Sequence, residues 1–82
     1  MVEVEFTKEF RSILSSIKDS LMRTRILKQI KKIKVNLEVG KPMRNVRKGT
    51  RELYIKPFRL SYEYLKSENV VYILDLYHKK KQ

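Results

Sequence analysis

Basic and aromatic residues near the C-terminal end of this 82-residue chain could together bind an anion. Arg59 lies inside an otherwise apolar, strand-like stretch, where an arginine is costly unless that face is wet or holds an anion. His78 has a side chain whose ordinary pKa, about 6.5, suits a base or an acid. The neighbours that could complete such a site are Tyr54, Lys56, Tyr77 and Lys79.

The net charge of +11 is concentrated in the middle of the chain. Residues 21–39 carry six basic residues against one acidic residue, and residues 40–60 carry seven against one. Because each phosphate contact releases counterions, this distribution favours a nucleic acid or another polyanion as partner, with simple solubility as the alternative. The other cations that we expect to contact the polyanion are Arg44, Arg47, Lys48, Arg51, Lys80 and Lys81.

Several kinds of protein are disfavoured by composition. The chain has no cysteine and a single histidine, which argues against disulfides, a zinc site or another metal centre, and we expect no cofactor. No apolar run approaches the roughly 20 residues of a membrane span, and the first residues do not resemble a signal peptide. We therefore expect a cytoplasmic protein that does not contact membranes.

Two helices are expected to follow a first strand. Alternation of apolar and acidic residues at 2–6 predicts a half-buried strand. Thr7 is then expected to cap a helix with one apolar stripe. Asp19 or Ser20 should cap a second helix, which reaches residue 39 and is ended by the glycine and proline at 40–42.

The remainder of the chain has strand-like patterns. A short strand is expected at 44–47, followed by strands at 52–56, 58–64 and 70–77. The resulting order, β-α-α-β-β-β, predicts a single α+β domain spanning residues 1–82. In this domain a small, twisted, mostly antiparallel sheet carries a helical hairpin on one face.

Strand residues alternate between the two faces of a sheet, which sorts the candidate side chains. If the leucine and isoleucine at 53 and 55 face the helices, Tyr54, Lys56 and Arg59 point to the open face. An ordinary salt bridge between Arg59 and a glutamate or aspartate of a neighbouring strand is the alternative explanation for the arginine. The acids available for such a bridge are Glu52, Glu63 and Asp75.

The last strand is expected to add further groups to the open face. Tyr77 and Lys79 reach it if the residues of opposite parity face the helices, and His78 then points towards the helices. The residues expected to face the helices are Val70, Tyr72, Leu74 and Leu76.

Three stretches resemble the RelE/ParE toxins of prokaryotic toxin–antitoxin pairs. They are the RELYI sequence at 51–55, the PFRLSY sequence at 57–62 and the YHK sequence at 77–79. The order of elements agrees with that family over essentially the whole chain. The resemblance implies the RelE/ParE fold and a toxin that acts either as a RelE-type nuclease or as a ParE-type inhibitor of DNA gyrase.

A RelE-type activity would be metal-independent cleavage of messenger RNA on the ribosome, which inhibits translation. Such chemistry needs a base for the 2′-hydroxyl, a cation for the phosphorane and an acid for the leaving 5′-oxygen. The resemblance implies that Lys56, Arg59 and Lys79 form the catalytic set. Lys79 stands where an arginine is expected, and no tyrosine follows Tyr77, so His78 is a possible substitute.

The resemblance also implies a partner, an acidic and partly disordered antitoxin of RelB type that forms a hetero-oligomer with the toxin. Charge complementarity with this basic chain would speed that association. The basic outer side of the helix at 20–39 and the open sheet face are the expected contact surfaces. A small basic protein that binds nucleic acid or the ribosome is the alternative outside the toxin family.

Overall fold

The computed structural model describes residues 2–44 and 49–78, in which two helices pack against one five-stranded sheet. The helices are α1 (Lys8–Ser16) and α2 (Ser20–Val35). The strands are β1 (Glu3–Phe6), β2 (Lys41–Pro42), β3 (Arg51–Ile55), β4 (Phe58–Leu65) and β5 (Val70–His78). Their order in the sheet is β1-β5-β4-β3-β2, with β1 parallel to β5 and the other pairs antiparallel. The predicted α+β fold is confirmed.

Both helices begin at the predicted caps. The Thr7 hydroxyl accepts a hydrogen bond from the Phe10 amide at 3.1 Å, and the Asp19 carboxylate accepts from the Leu21 amide at 3.0 Å. Each cap satisfies an amide that has no partner inside the helix. The ambiguity between Asp19 and Ser20 is resolved in favour of Asp19, since Ser20 is the first residue of α2.

The core lies between the helices and one face of the sheet. Helix α2 contributes an isoleucine stripe at the spacing of one helix face, and α1 contributes Phe10. The strands supply the other half of the core. The fully or nearly fully buried apolar residues are Phe10, Ile26, Ile30, Ile33, Ile55, Leu60, Tyr62, Val71, Ile73 and Leu76. No element packs its apolar residues into a comparable cluster on the opposite sheet face of the described residues.

A β-bulge corrects the predicted orientation of β5. Tyr62 pairs with Ile73, whereas Ser61 pairs with Asp75, so Leu74 is an extra residue in the strand. Val71 and Ile73 therefore face the helices, and the expected inward orientation of Val70 and Tyr72 is wrong. The bulge shifts the alternation by one residue, which returns Leu76 to the core as predicted. Simple parity counting cannot detect such an insertion.

Thr7 stabilises the bulge as well as the helix. Its hydroxyl donates to the Leu74 carbonyl at 2.7 Å, and its amide donates to the Ile73 carbonyl at 3.1 Å. A carbonyl at a bulge lacks its regular ladder partner, and Thr7 supplies a replacement. One side chain thereby joins the start of α1 to the middle of the sheet.

One predicted helix boundary is wrong, and one short strand was not predicted. Helix α2 ends at Val35 with Asn36 as its C-cap, earlier than the predicted residue 39, because residues 37–40 turn towards the sheet. A two-residue strand that was not predicted, β2, pairs Lys41 with Glu52 and Pro42 with Arg51. Of the short strand expected at 44–47, only Arg44 is described, and it is not a strand residue. Residues 45–48 lie outside the described residues. Within the described part of the chain, neither helix is long and apolar enough to cross a membrane.

Candidate functional site

Three side chains form a row across the open face of the sheet. Tyr54 of β3 pairs with Arg59 of β4, and Arg59 pairs with Tyr77 of β5. Paired residues point to the same face, and this face is opposite the one that carries Leu60 and the helices. The predicted convergence of Tyr54, Arg59 and Tyr77 on one face is therefore observed.

A carboxylate lies at the centre of this row. Glu52 of β3 is 6% exposed, and its Oε1 accepts a hydrogen bond from Arg59 Nη1 at 3.2 Å. Its other oxygen, Oε2, accepts a hydrogen bond from the Tyr77 hydroxyl. The carboxylate thus connects side chains of three adjacent strands. We call Glu52, Arg59 and Tyr77 the carboxylate triad.

The salt bridge considered as an alternative for Arg59 exists, with Glu52 as its partner. The guanidinium side chain is 29% exposed, whereas the carboxylate side chain is 5% exposed. Solvent therefore reaches the arginine much more than the glutamate. An arginine has five N–H donors in a planar fork, so a guanidinium held by one carboxylate oxygen can also bind a phosphate.

A cleft of about 320 Å³ opens next to the carboxylate triad. Lys41 of β2 lines it together with Tyr54, Glu52 and Arg59. Lys41 pairs with Glu52 and so shares the open face, where it adds a cation at the edge of the sheet. Tyr54 is 52% exposed and presents its ring to solvent. The cleft combines cations and an exposed ring, which are the groups that bind a nucleotide phosphate and stack on a base.

A family model described as the ParE toxin of type II toxin–antitoxin systems (parDE) matches residues 4–82. The chain belongs to this family. It is a toxin of a type II toxin–antitoxin system, which agrees with the resemblance to RelE/ParE toxins. No curated protein matches the chain.

Solved toxin structures have the same fold. The toxin–antitoxin complex RelBE2 from Mycobacterium tuberculosis contains a chain that is 27% identical, with a TM-score of 0.70 over 95% of this chain and 98% of that one. The YoeB/ParE toxin from Agrobacterium tumefaciens is 14% identical, with a TM-score of 0.84 over 94% of this chain and 98% of that one. The intact RelBE complex from E. coli contains a chain that is 11% identical, with a TM-score of 0.81 over 95% of this chain and 96% of that one. At the two lower identities the likeness concerns the fold alone.

The predicted catalytic lysines of this ParE-family chain do not both lie where parity placed them. Lys56 is exposed in the two-residue turn with Pro57, beyond the end of β3, so it is not a strand residue of the open face. The strand ends one residue earlier than predicted, at Ile55, because Pro57 has no amide to donate to the ladder. Lys79 lies outside the described residues, as do Lys80 and Lys81.

His78 and Arg51 lie on the helix side of the sheet. His78 pairs with Phe58, and their rings meet edge-on with centroids 6.0 Å apart, which agrees with the predicted orientation of His78. Arg51 pairs with Tyr62, and its Nη1 donates to the Gly40 carbonyl at 2.7 Å. This contact holds the turn after α2 and does not favour the predicted RNA-binding role of Arg51.

The remaining predicted binding cations lie near the 45–48 segment. Arg44 follows β2 and is exposed. Arg47 and Lys48 are outside the described residues. Among residues 2–44 and 49–78, no group of three or more histidine, aspartate or glutamate side chains is arranged to hold a metal ion.

Sequence reasoning missed Lys41 and underestimated Glu52. Lys41 was missed because the sequence pattern did not predict the two-residue strand β2. Glu52 is the only acid among the seven basic residues of segment 40–60, and that isolation was a usable signal. An acid retained in so basic a segment, two residues before Tyr54 on the same strand face, has a specific neighbour to contact.

Proposed function

We propose that this toxin is a metal-independent endoribonuclease of RelE type that cleaves messenger RNA on the ribosome. The row of Tyr54, Arg59 and Tyr77 on an open sheet face, beside a cleft with Lys41, is the observation that supports it most. The strands hold these groups on a rigid surface that a single-stranded RNA segment can approach. The isolated RelE toxin and YafQ, both from E. coli, are solved structures with the same fold.

The reaction begins when a base removes the proton of a 2′-hydroxyl, whose oxygen attacks the adjacent phosphorus. Arg59 binds the non-bridging oxygens and stabilises the negative charge that grows on the phosphorane. An acid then donates a proton to the 5′-oxygen, which leaves as the P–O bond breaks. We assign the two proton transfers to Lys56, Lys79 or Tyr77 and base stacking to Tyr54, whereas His78 faces the helix side and is given no step.

The test is cleavage of a defined messenger in a purified translation reaction, followed by mapping of transcript ends. We expect cuts within codons at the decoding site, only when ribosomes are present, and undiminished when the toxin is treated with EDTA and desalted before it is added. Arg59→Lys keeps the charge beside Glu52 but removes the planar fork, and we expect cleavage to fall by about tenfold to a hundredfold. Intact transcripts with the wild-type chain would contradict the proposal.

Inhibition of a topoisomerase is the second candidate, and the ParE family match is the observation that favours it. This activity requires binding without RNA chemistry. Inhibition of DNA gyrase supercoiling by the purified chain, with transcripts left uncut, would favour it over the nuclease. A chain that binds nucleic acid but neither cuts transcripts nor arrests growth would instead be the small basic binding protein.

We also propose that an acidic antitoxin neutralises this toxin. The similar E. coli and M. tuberculosis structures are toxin–antitoxin complexes. Helix α2 carries six basic residues and no acidic residue, so its outer side attracts an acidic, partly disordered partner. Purification from the native operon should recover a small acidic protein in stable complex. Recovery of the toxin alone, without growth arrest, would contradict this partner.

A further inference from the structure

We infer that Glu52 is a positioning residue for the proposed RNA cleavage, which fixes Arg59 and Tyr77 against the scissile phosphate. This inference rests on the proposed nuclease function and assigns a role to a side chain outside its catalytic set. The evidence is the geometry of the carboxylate triad, in which each oxygen of one buried carboxylate accepts a hydrogen bond from a side chain on a different strand.

Electrostatics alone would not place a glutamate here. RNA is a polyanion, and a carboxylate next to the central arginine weakens long-range attraction to it. Burying the carboxylate also removes it from water, which is unfavourable unless both oxygens are paired. Glu52 is 6% exposed, and each of its oxygens accepts a hydrogen bond, so this condition for burying a carboxylate is met.

Orientation is what this arrangement provides. An arginine side chain on an open sheet face has many rotamers, and immobilising it on substrate binding costs conformational entropy. The charge-assisted bond from Glu52 selects one position of the guanidinium before RNA arrives. The bond to the Tyr77 hydroxyl fixes the phenol beside it, because Arg59 and Tyr77 are directly paired across β4 and β5. Catalytic groups displaced by about 1 Å lose up to about a hundredfold in rate.

If Glu52 positions the catalytic groups, its substitution should slow the chemical step without weakening the binding of substrate. In Glu52→Gln the amide oxygen can still accept from Arg59 and the amide nitrogen can donate to the Tyr77 oxygen, so the buried position stays hydrogen-bonded. The charge-assisted bond is lost, and the net charge rises from +11 to about +12. We expect kcat on programmed ribosomes to fall by about tenfold or more, while KM stays the same or decreases.

Glu63→Gln is the matched control. Glu63 lies on β4, shares the open face with Arg59 and pairs with Tyr72, away from the carboxylate triad. Like Glu52→Gln, the Glu63→Gln substitution removes one negative charge from the open face, and we expect its kcat to remain within about twofold of wild type. Equal effects of the two substitutions, or an increase in KM alone for Glu52→Gln, would overturn the positioning role.

Glu52→Asp provides a second, independent measurement. It keeps the charge but shortens the side chain by about 1.5 Å, so one carboxylate no longer reaches both donors. Positioning predicts slower cleavage here too, whereas a role through charge alone predicts wild-type cleavage and would overturn the inference. Thermal unfolding of each variant identifies any loss of kcat that is caused by loss of fold.

Nuclear magnetic resonance of the Arg59 Nη1–H group, which donates to Glu52, separates this inference from the proposed function. We expect slow hydrogen exchange of this group in the wild-type chain and faster exchange in Glu52→Gln. If the wild-type chain cuts no RNA, the nuclease proposal fails. Identical Arg59 resonances in wild type and Glu52→Gln would instead show that Glu52 does not hold the arginine, and would overturn the inference itself.

Discussion

The two faces of the sheet each contain an arginine and a tyrosine hydroxyl in a polar cluster, but their partners differ. On the helix side, Tyr62 donates to the Leu37 carbonyl at 2.9 Å and accepts from the Gly40 amide at 2.8 Å, while Arg51 donates to the Gly40 carbonyl. On the open side, Arg59 and the Tyr77 hydroxyl both donate to the side chain of Glu52.

The partner decides what each cluster can do. Backbone groups of residues 37–40 must be satisfied wherever the chain leaves α2 and enters β2, so the Tyr62 cluster closes a loop over the core. A Cβ at Gly40 would lie 2.7 Å from the Tyr62 ring and hydroxyl, which explains the glycine there. In the carboxylate triad, by contrast, Arg59 and Tyr77 donate to Glu52 through their side chains, so the triad organises side chains of three strands. The first cluster stabilises the fold, and the second prepares a surface.

Removal of the Arg59 side chain has the largest expected effect and is the strongest test of this comparison. We expect Arg59→Ala to reduce cleavage by at least about a hundredfold. It should also lower the free energy of unfolding by about 1–3 kcal/mol, because Glu52 is left buried with fewer donors. Compared with Arg59→Ala, Arg59→Lys should recover most of the lost stability, but its cleavage should stay well below that of the wild type. Transcript mapping and urea unfolding measure the two effects.

Arg51→Ala is the matched substitution on the other face. It removes the bond to the Gly40 carbonyl, and since the arginine side chain is 30% exposed, we expect a stability loss of about 1 kcal/mol. Cleavage per folded molecule should stay at the wild-type level. A loss of cleavage with Arg51→Ala at unchanged stability would show that the helix-side cluster also contacts substrate.

Tyr62→Phe tests the loop-closing cluster directly. The hydroxyl is buried with two backbone partners, so its removal leaves the Leu37 carbonyl and the Gly40 amide without that partner. We expect the free energy of unfolding to fall by about 1–2 kcal/mol, with cleavage unchanged. Tyr64→Phe is the control, because the Tyr64 hydroxyl bonds Asn69 at an exposed position. Equal losses for the two variants in chemical unfolding would contradict the proposed closure.

The fold could be predicted because its patterns are local. The caps at Thr7 and Asp19 follow from short-range chemistry, and the faces of β3 and β4 follow from strict alternation. The β5 bulge could not be predicted, since it depends on the Thr7 hydroxyl meeting the Leu74 carbonyl, 67 residues away along the chain. The end of α2 was misplaced because the Tyr62 hydroxyl holds residues 37–40 in a turn.

The site was predictable only in part for the same reason. The row of Tyr54, Arg59 and Tyr77 follows from residue type and face, and it is present. Lys56 was misplaced because Pro57 ends the strand early. The bond between Glu52 and Tyr77 spans two strand pairings, so it depends on the register of β3, β4 and β5 together, which no single segment specifies.

Alkaline pH gives the smallest of the expected effects and sharpens the contrast between buried and exposed tyrosines. Burial raises the pKa of Tyr62 above 10.0, although the Gly40 bond and Arg51 oppose the shift. The unfolded chain therefore loses this proton first, and the Tyr62 contribution to stability, fully present below pH 10.0, declines as pH rises towards the folded pKa. The stability difference between wild type and Tyr62→Phe should thus shrink above that pH.

Tyr72 supplies the surface comparison for this titration. A hydrogen bond to Glu68 is the main reason that its pKa is raised, and the two side chains lie at an exposed position. Salt at about 1 M screens charges beyond about 3 Å, so the contributions of the Glu68 and Glu5 charges to the raised pKa of Tyr72 should weaken in high salt, whereas the effect of burying Tyr62 should persist. Urea unfolding of both variants between pH 9 and about 11, at low and high salt, measures this. A Tyr62 effect that vanished with salt would mean that charge, and not burial, keeps that hydroxyl protonated.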